Sequence, residues 1–394
     1  MNMKSTSAPL RVNVFTSSFQ RFGSETSLFN LIRQADPKDL DIVTICRYGG
    51  DLLEELPKNL RRHRCDRDRS LFQRIIHKIE DSLPWNRKNP LYVPAWLRLL
   101  HRRYPADVWS INTLAQVDMV RYAKRLGVPM VLHVQELAMG LQWTKGDQDV
   151  KDLMELPDLV IGCSEAVRQM VNILGRKESV EVLYPTNIAK ELQERDRSLT
   201  LSLREKWNIP AGRYLWVSTG FICPRKNPLL FIDLMRELQR RGHDVQGVWI
   251  GTHSSAYGHY AKCYANDVGM GDRITWVGER SHDYIDYMDL ADGYVLTSTQ
   301  ESFSIATLQA VCLGKPSMIT SCGGATEIVT EGMGLVSSGW NLQEMADGME
   351  KIMKKEWVPD PSKIHEGIQK FEIDFQTDRW TQMMRKYFQK RGIQ

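Results

Sequence analysis

Short apolar runs rich in β-branched residues alternate along this chain with stretches whose apolar positions recur every three or four residues. Runs apolar at successive positions read as strands buried on both faces, and the recurring spacing reads as amphipathic helix. In the first half the strand pattern falls at 11–15 (RVNVF), 41–46 (DIVTIC), 107–112 (DVWSIN), 129–134 (PMVLHV), 158–163 (DLVIGC) and 180–184 (VEVLY). Helical spacing covers Glu25–Gln34 and Gln116–Leu126 between them. The alternation lapses over 186–212, which is polar and charged and closes on the turn-rich NIPAGR. It resumes at 214–220 (YLWVSTG), followed by a helix at Pro228–Arg241 and strands at 245–251, 274–278, 293–298 and 316–321. A helix is predicted at 304–313, before the last of these strands. The terminal stretch Asp374–Arg391 is amphipathic through Trp380, Met383, Met384, Tyr387 and Phe388. Strand–helix alternation predicts parallel α/β sheets, and 394 residues are too many for one ordinary core. Two doubly wound domains facing across a cleft are the economical reading.

Composition adds little to this picture. The chain is 42% hydrophobic and 25% charged, and no apolar run approaches the roughly 20 residues that span a bilayer. The first residues, MNMKSTSAPLRVNVF, lack the apolar core of a signal peptide. The cysteines at 46, 65, 163, 223, 263, 312 and 322 form no C-x-x-C pair, which argues against a disulfide framework. The expected location is cytoplasmic, including the inner face of a membrane.

Charge changes the picture more. The net +4 conceals a basic block between Lys58 and Arg103, with 13 Lys+Arg against 4 Asp+Glu. Within it Leu71, Phe72, Ile75, Ile76, Ile79 and Leu83 fall at helical spacing beside Arg69, Arg74 and Lys78, and Trp85, Trp96, Leu97, Leu99 and Leu100 follow. A basic amphipathic segment can lie on an anionic membrane surface. A core-facing helix with a solvated basic face fits equally well. No nucleic-acid-binding motif accompanies the charge, so nucleic acid is not an expected partner.

Candidate chemistry lies in the loops. In open parallel sheets ligands bind beyond the carboxyl ends of the strands, where helix N-termini present free N–H groups. The stretch QESFSIATLQAVCLGKP, 300–316, has that placement. Glu301 stands at the loop rim as a hydroxyl acceptor, and the N–H groups of Phe303, Ser304 and Ile305 head the helix toward phosphate or sugar oxygens. Gln309 lies further along, within reach of a ribose. A capped core helix with a solvated loop acid is the alternative. A second loop, TGFICPRKNP, puts Arg225 and Lys226 before a helix that starts at Pro228. Two cations beside a helix start can hold a diphosphate and stabilise it as it departs, or can be a solvated surface pair. A third loop, SSFQRFGSET, offers Gly23 near a helix start.

These loops together resemble the group-one family of retaining, nucleotide-sugar-dependent glycosyltransferases with the GT-B fold. The likeness is carried in the second half by SLREKWNIPAGRYLWVSTGFICPRKN, by ITWVGERSHDYIDYMDLADGYVLTSTQESFSIATLQAVCLGKP and by TSCGGATEIVTEGMGLV. It continues more loosely in the first half at GSETSL, HVQE and DLVIGCSEAV. The resemblance implies an acceptor-side Rossmann-like domain over 1–190, a linker at 191–212, a nucleotide-sugar domain over 213–373, and a helix at 374–394 crossing back to the first domain. Glu301 matches the first acid of the family's E-x7-E motif, which contacts donor-sugar hydroxyls; the second acid is replaced by Gln309. Lys226 matches the diphosphate-binding lysine. The arginine that follows the loop glycine, here Gly220, is replaced by Phe221, and Arg225 would supply the second cation. His133 matches a histidine near the donor sugar, and Gly23 matches the glycine loop at the reaction centre. The implied function is retaining, metal-independent sugar transfer from a nucleotide-diphosphate sugar to a glycan or lipid-linked acceptor in polysaccharide biosynthesis, with no cofactor beyond that donor. The two departures leave open a catalytically silent sugar-nucleotide-binding protein, and the fold also hosts nucleotide-sugar epimerases.

Other signals compete weakly. GCSEA at 162–166 imitates a hydrolase nucleophile elbow at Ser164, although an N-cap serine fits as well. Three D-x-D strings, at Asp39/Asp41, Asp66/Asp68 and Asp147/Asp149, read as charged loops, so no metal is expected. His253 and His259 follow a strand end and read as turn polarity or a donor contact. No G-x-G-x-x-G or Walker sequence occurs.

Overall fold

The computed structural model describes residues 8–65, 92–186, 192 and 203–388, apart from 208, 211, 253, 281 and 282. The chain divides into two compact units, Met1–Thr186 with Ile373–Gln394, and Asn187–Glu372. The first unit contains β1 (Leu10–Thr16), β2 (Leu40–Cys46), β3 (Arg61–Arg64), β4 (Val108–Asn112), β5 (Met130–Val134), β6 (Leu159–Gly162) and β7 (Val180–Val182). They form one sheet in the order β3-β2-β1-β4-β5-β6-β7, every pairing parallel. The second unit contains β8 (Tyr214–Thr219), β9 (Val245–Ile250), β10 (Ile274–Gly278), β11 (Gly293–Leu296), β12 (Ser317–Thr320) and β13 (Leu335–Ser337). Its order is β10-β9-β8-β11-β12-β13, again parallel. Strand order therefore reverses between β1 and β4 in one sheet and between β8 and β11 in the other. At such reversals the chain leaves neighbouring strands in opposite directions and opens a crevice at their carboxyl ends.

The central strands β4, β5, β11 and β12 are buried at every position, as helices covering both faces of a sheet require. Two edge strands carry no such signal. In β3 the sequence is RRHR, and its register comes from β2, with Arg61 paired to Asp41 across the ladder. Charge on an edge strand also blocks pairing with another chain. At the opposite edge of the second sheet β13 has only three residues.

The first core joins Val12, Val14, Leu28, Ile32, Val108 and Val131 to Trp380, Met383, Met384 and Phe388 of the C-terminal helix, Ile373–Phe388. That helix is also tied by polar contacts: Gln34 Nε2 donates to Asp374 at 2.7 Å, and the Tyr184 N–H donates to Gln376 Oε1 at 3.0 Å. The second core packs Trp216, Phe231, Trp249 and Val295 against Met345 and Met349. Of the basic block, Arg69, Arg74, Lys78 and the apolar positions Leu71–Leu83 lie outside the described residues. Its described end, the helix Ala95–Arg103, buries Leu97 and Leu100 and exposes Leu99. Among the described residues no helix is long and apolar enough to cross a membrane.

Candidate functional site

At the reversal of the second sheet three loops are stitched into one surface. After β8 the chain turns at Gly220, whose φ of +126° favours glycine, and enters a single 3-10 turn at Pro224–Lys226. A Cβ at Gly220 would sit 2.6 Å from Lys226 Cε, so the glycine also makes room for the lysine stem. The loop after β11 is laced to this turn: Thr299 N–H donates to Arg225 O at 2.7 Å, and Thr297 Oγ1 donates to Lys226 O at 3.0 Å. The loop after β12 closes the set, with the Glu301 N–H donating to Cys322 O at 2.6 Å and the Gly324 N–H donating to Glu301 O at 2.9 Å.

Glu301 is the centre of this surface and is buried. Its Oε1 accepts from Lys226 Nζ at 2.7 Å and Ser298 Oγ at 2.6 Å, and it lies 3.0 Å from an Arg225 guanidinium nitrogen. Arg225 also donates to Gln300 O at 2.9 Å. Burial alone would raise the Glu301 pKa, but the Lys226 and Arg225 charges more than reverse that and hold it below the usual carboxylate range. The acid is thus kept ionised inside the protein by the two cations.

The helix behind this loop runs Ile305–Cys312. Its N-cap Ser304 adopts φ 81°, a left-handed conformation uncommon for serine, and its hydroxyl accepts the Thr307 N–H at 3.4 Å. The first N–H groups of the helix have no intrahelical acceptor by geometry. Phe303 turns its ring inward, edge-on to Phe371 at 5.3 Å. Ile305 and Gln309 are half-buried, and because the helix begins at Ile305, Gln309 lies one turn in. Phe221 exposes its ring beside this surface. Asn227, N-cap of the Pro228–Arg240 helix, is a second left-handed cap at φ 48°.

The structure therefore brings Gly220, Arg225, Lys226 and Glu301 together at the start of the Ile305–Cys312 helix. His133 and Gly23 belong to the first unit. Gly23 is the exposed first residue of the helix Gly23–Gln34. His133 is buried near the end of β5, edge-on to Trp380 at 6.3 Å, and burial drives its pKa down to about 4, so the ring is neutral near pH 7. Two carboxyls missed in the sequence stand near these positions: Glu25, two residues after Gly23, and Glu136, three after His133. Burial pushes the Glu136 pKa up to about 7, against N–H donors from Leu114 and Gln135, with repulsion from Glu25 adding to the rise. Burial also raises the pKa of Glu25. In their strings, GSET and HVQE, no local pattern marks the two acids.

The competing signals resolve into structure. Ser164 caps the helix Glu165–Ile173 by accepting the Val167 N–H at 3.1 Å. Asp149 pairs with Arg121 at 2.7 Å, and Asp39 pairs with Arg385. Asp66, Asp68 and His253 lie outside the described residues, and His259 is exposed on the helix Ala256–Asp267. Among the described residues no group of three or more His, Cys, Asp or Glu could hold a metal ion.

Comparison with known proteins follows the same division. Residues 201–371 match the family profile described as "Glycosyl transferases group 1". The chain is 23% identical over 214 residues to the D-inositol 3-phosphate glycosyltransferase of Mycobacterium tuberculosis (strain ATCC 25618 / H37Rv), covering 54% of this chain and 43% of that protein. It thus spans less than half the length of the curated relatives it matches. Among solved structures, Anabaena Alr3699/HepE in complex with UDP and glucose superposes with a TM-score of 0.77 at 17% identity, over 96% of this chain and all of that one. Sucrose-phosphate synthase from Thermosynechococcus elongatus gives 0.70 at 15% identity, over 97% of this chain and 100% of that one. These likenesses establish the fold, the GT-B pair of Rossmann-like domains.

Proposed function

We propose, because this chain belongs through residues 201–371 to the group 1 glycosyl transferases, that it moves a sugar from a nucleotide-diphosphate donor to a hydroxyl of a glycan or lipid-linked acceptor, in polysaccharide biosynthesis. The transfer retains configuration at the anomeric carbon and uses no metal. The observation that carries this reading is the buried Glu301 held between Lys226 and Arg225 at the head of a helix.

Sugar transfer breaks the bond between the anomeric carbon and a phosphate oxygen, and the electron pair leaves with the diphosphate. Lys226, Arg225 and the first N–H groups of the Ile305–Cys312 helix supply fixed positive potential for that charge. The cations now held by Glu301 exchange one anion for another when the donor binds. Glu301 then accepts hydrogen bonds from hydroxyls of the donor sugar, and Gln309 offers its amide to the ribose. In the retaining route the acceptor oxygen bonds to the anomeric carbon on the face the diphosphate leaves. Its proton passes to a diphosphate oxygen, so no enzymic nucleophile is required. A uridine donor is the first to try, since the Anabaena structure contains UDP and glucose.

A thermal-shift panel of UDP-, GDP- and ADP-sugars, followed by nucleotide-release assays, tests the reading. One donor should stabilise the protein, and nucleotide release should rise with added acceptor. Binding without turnover would reduce the chain to a sugar-nucleotide-binding protein, and an epimerised donor without acceptor would make it an epimerase. For a lipid-linked acceptor the basic block would hold the protein at an anionic membrane surface. Vesicles rich in anionic lipid should bind the wild type and release the triple reversal Arg69→Glu, Arg74→Glu, Lys78→Glu; equal binding of the two would remove the membrane surface from the account.

A further inference from the structure

The loop that carries Glu301 is held from two sides. In front, it is bound to Arg225, Lys226, Cys322 and Gly324. Behind it lie three buried hydroxyls to which the transfer chemistry gives no task. Tyr294 on β11 and Thr307 in the first turn of the Ile305–Cys312 helix are each 0% exposed, and the N-cap Ser304 is buried beside them. Ser304 Oγ lies 2.8 Å from Thr307 Oγ1, which lies 3.2 Å from Tyr294 Oη. A chain of hydroxyls thus runs from the core strand to the start of the helix.

Ser304 needs such an anchor. At φ 81° and ψ 75° it occupies the left-handed region, which penalises a residue with a Cβ and costs glycine little. An N-cap ordinarily lies in the extended region and is held by the N–H it accepts. Here that bond, from the Thr307 N–H, is 3.4 Å long, beyond the usual limit of about 3.2 Å, so it is a weak hold on a strained conformation. The 2.8 Å contact with Thr307 Oγ1 is the strong one. Its direction follows from burial. Each hydroxyl has one proton to give, and a buried O–H without an acceptor is costly. Tyr294 therefore gives its proton to Thr307 Oγ1, and Thr307 gives its own to Ser304 Oγ. Left alone, a helical threonine can turn that proton to a carbonyl one turn back. The phenol pins Thr307 Oγ1 on the serine side, and the serine oxygen accepts twice from one residue.

We propose that Tyr294 is a positioning residue of the donor site: through Thr307 it holds Ser304 in the left-handed cap that sets the direction of the Phe303, Ser304 and Ile305 N–H groups offered to the diphosphate. Its bearing on the donor rests on the glycosyltransferase reading; the tether itself does not. Tyr294 touches no reacting atom and acts only through the two hydroxyls ahead of it. The ring of Phe303 is seated separately, edge-on to Phe371 at 5.3 Å. Removing the phenol oxygen therefore frees the cap without unseating its neighbour, and phenylalanine fills the space the tyrosine ring leaves.

A double-mutant cycle on the full chain tests this, read by Tm and by calorimetric titration with UDP, GDP and ADP. Tyr294→Phe should lower Tm and weaken the nucleotide that the wild type binds by roughly fivefold, the worth of one net hydrogen bond. Ser304→Gly supplies the second background, because glycine takes φ 81° without a tether. There Tyr294→Phe should leave affinity at the Ser304→Gly value, although Tm still falls with the lost hydrogen bond. A tyrosine that merely fills the core would give the same affinity change in both backgrounds, or none in either. Thr307→Val, which keeps the shape and drops the hydroxyl, should weaken the nucleotide as Tyr294→Phe does, and Thr307→Ser should retain more of the affinity than Thr307→Val. Should Tyr294→Phe fail to fold, the Thr307 pair decides. The inference is overturned by a Tyr294→Phe protein with a lower Tm and wild-type affinity, by equal affinity losses in the two backgrounds, or by Thr307→Val and Thr307→Ser binding alike. A wild type that binds none of the three nucleotides would sink the proposed function and this inference with it. Failure of that reading therefore shows in the wild type, and failure of this inference alone shows only in the variants.

Discussion

Glu301 is the residue on which the proposed donor site turns, and its state is set by neighbours far away in sequence. Removing Lys226 takes away a counter-charge of Glu301 and, on the proposed function, a diphosphate contact. Lys226→Ala should lower kcat by a hundred- to a thousand-fold, about 3–4 kcal/mol of transition-state stabilisation. The Arg225 contact at 3.0 Å remains, so the protein should still fold, with a somewhat lower Tm. The Glu301 pKa should rise once Lys226 is gone. A carboxyl held below its ordinary value keeps its stabilising interactions above the unfolded pKa and loses them as pH falls through the folded one. The acid limb of the pH–rate profile should therefore move toward neutrality in Lys226→Ala. Unchanged turnover and an unchanged profile would remove Lys226 from the mechanism. Lys226, Arg225 and Glu301 were all legible in the sequence, because each sits between a strand end and a helix start. Glu136 was not, since its proton affinity depends on burial and on Glu25, which no local spacing reveals.

Elements place these residues through backbone constraints that only some residue types meet. Gly220 is the sharpest case: it needs both a left-handed φ and the space its missing Cβ leaves for Lys226. Gly220→Ala should cost stability by roughly 1–3 kcal/mol through backbone strain and push Lys226 out of register with Glu301. Urea unfolding and donor affinity should fall together; a variant with intact donor affinity would show that the lysine tolerates the clash. Gly324 is similar, since a Cβ there would meet Ser302 O at 2.1 Å. The left-handed caps Ser304 and Asn227 begin the two helices of this site; asparagine takes that conformation readily, serine rarely. The strands missed in the sequence, β3 and β13, are sheet edges. One face of an edge strand's ladder is open, and the central strand beside it fixes its register, so no apolar pattern is needed to place it.

At the scale of the whole molecule the chain is not two successive domains. The last helix belongs to the first unit, and Trp380, Met383, Met384 and Phe388 complete a core begun by β1 and the Gly23–Gln34 helix. A chain ending at Glu372 should therefore lose protection across the first sheet while the second keeps it, as read by amide exchange. Trp380→Ala alone should destabilise the first unit by about 3–5 kcal/mol. Retained protection of β1 and β4 in the truncated chain would show that the helix is an accessory. The sequence by itself determined the two parallel sheets, the helices that cover them and the loops that carry Arg225, Lys226 and Glu301, because hydrophobic period and strand–loop–helix order are local properties that survive without tertiary contacts. Only the tertiary structure decided that Glu301 is ionised between two cations, that Glu25 acts on the charge of Glu136, and that the amide of Asn112 and Nε2 of His133 are buried with no hydrogen-bond partner among the described residues. Those depend on which side chains share a low-dielectric space, and that is fixed by packing between segments distant in the chain.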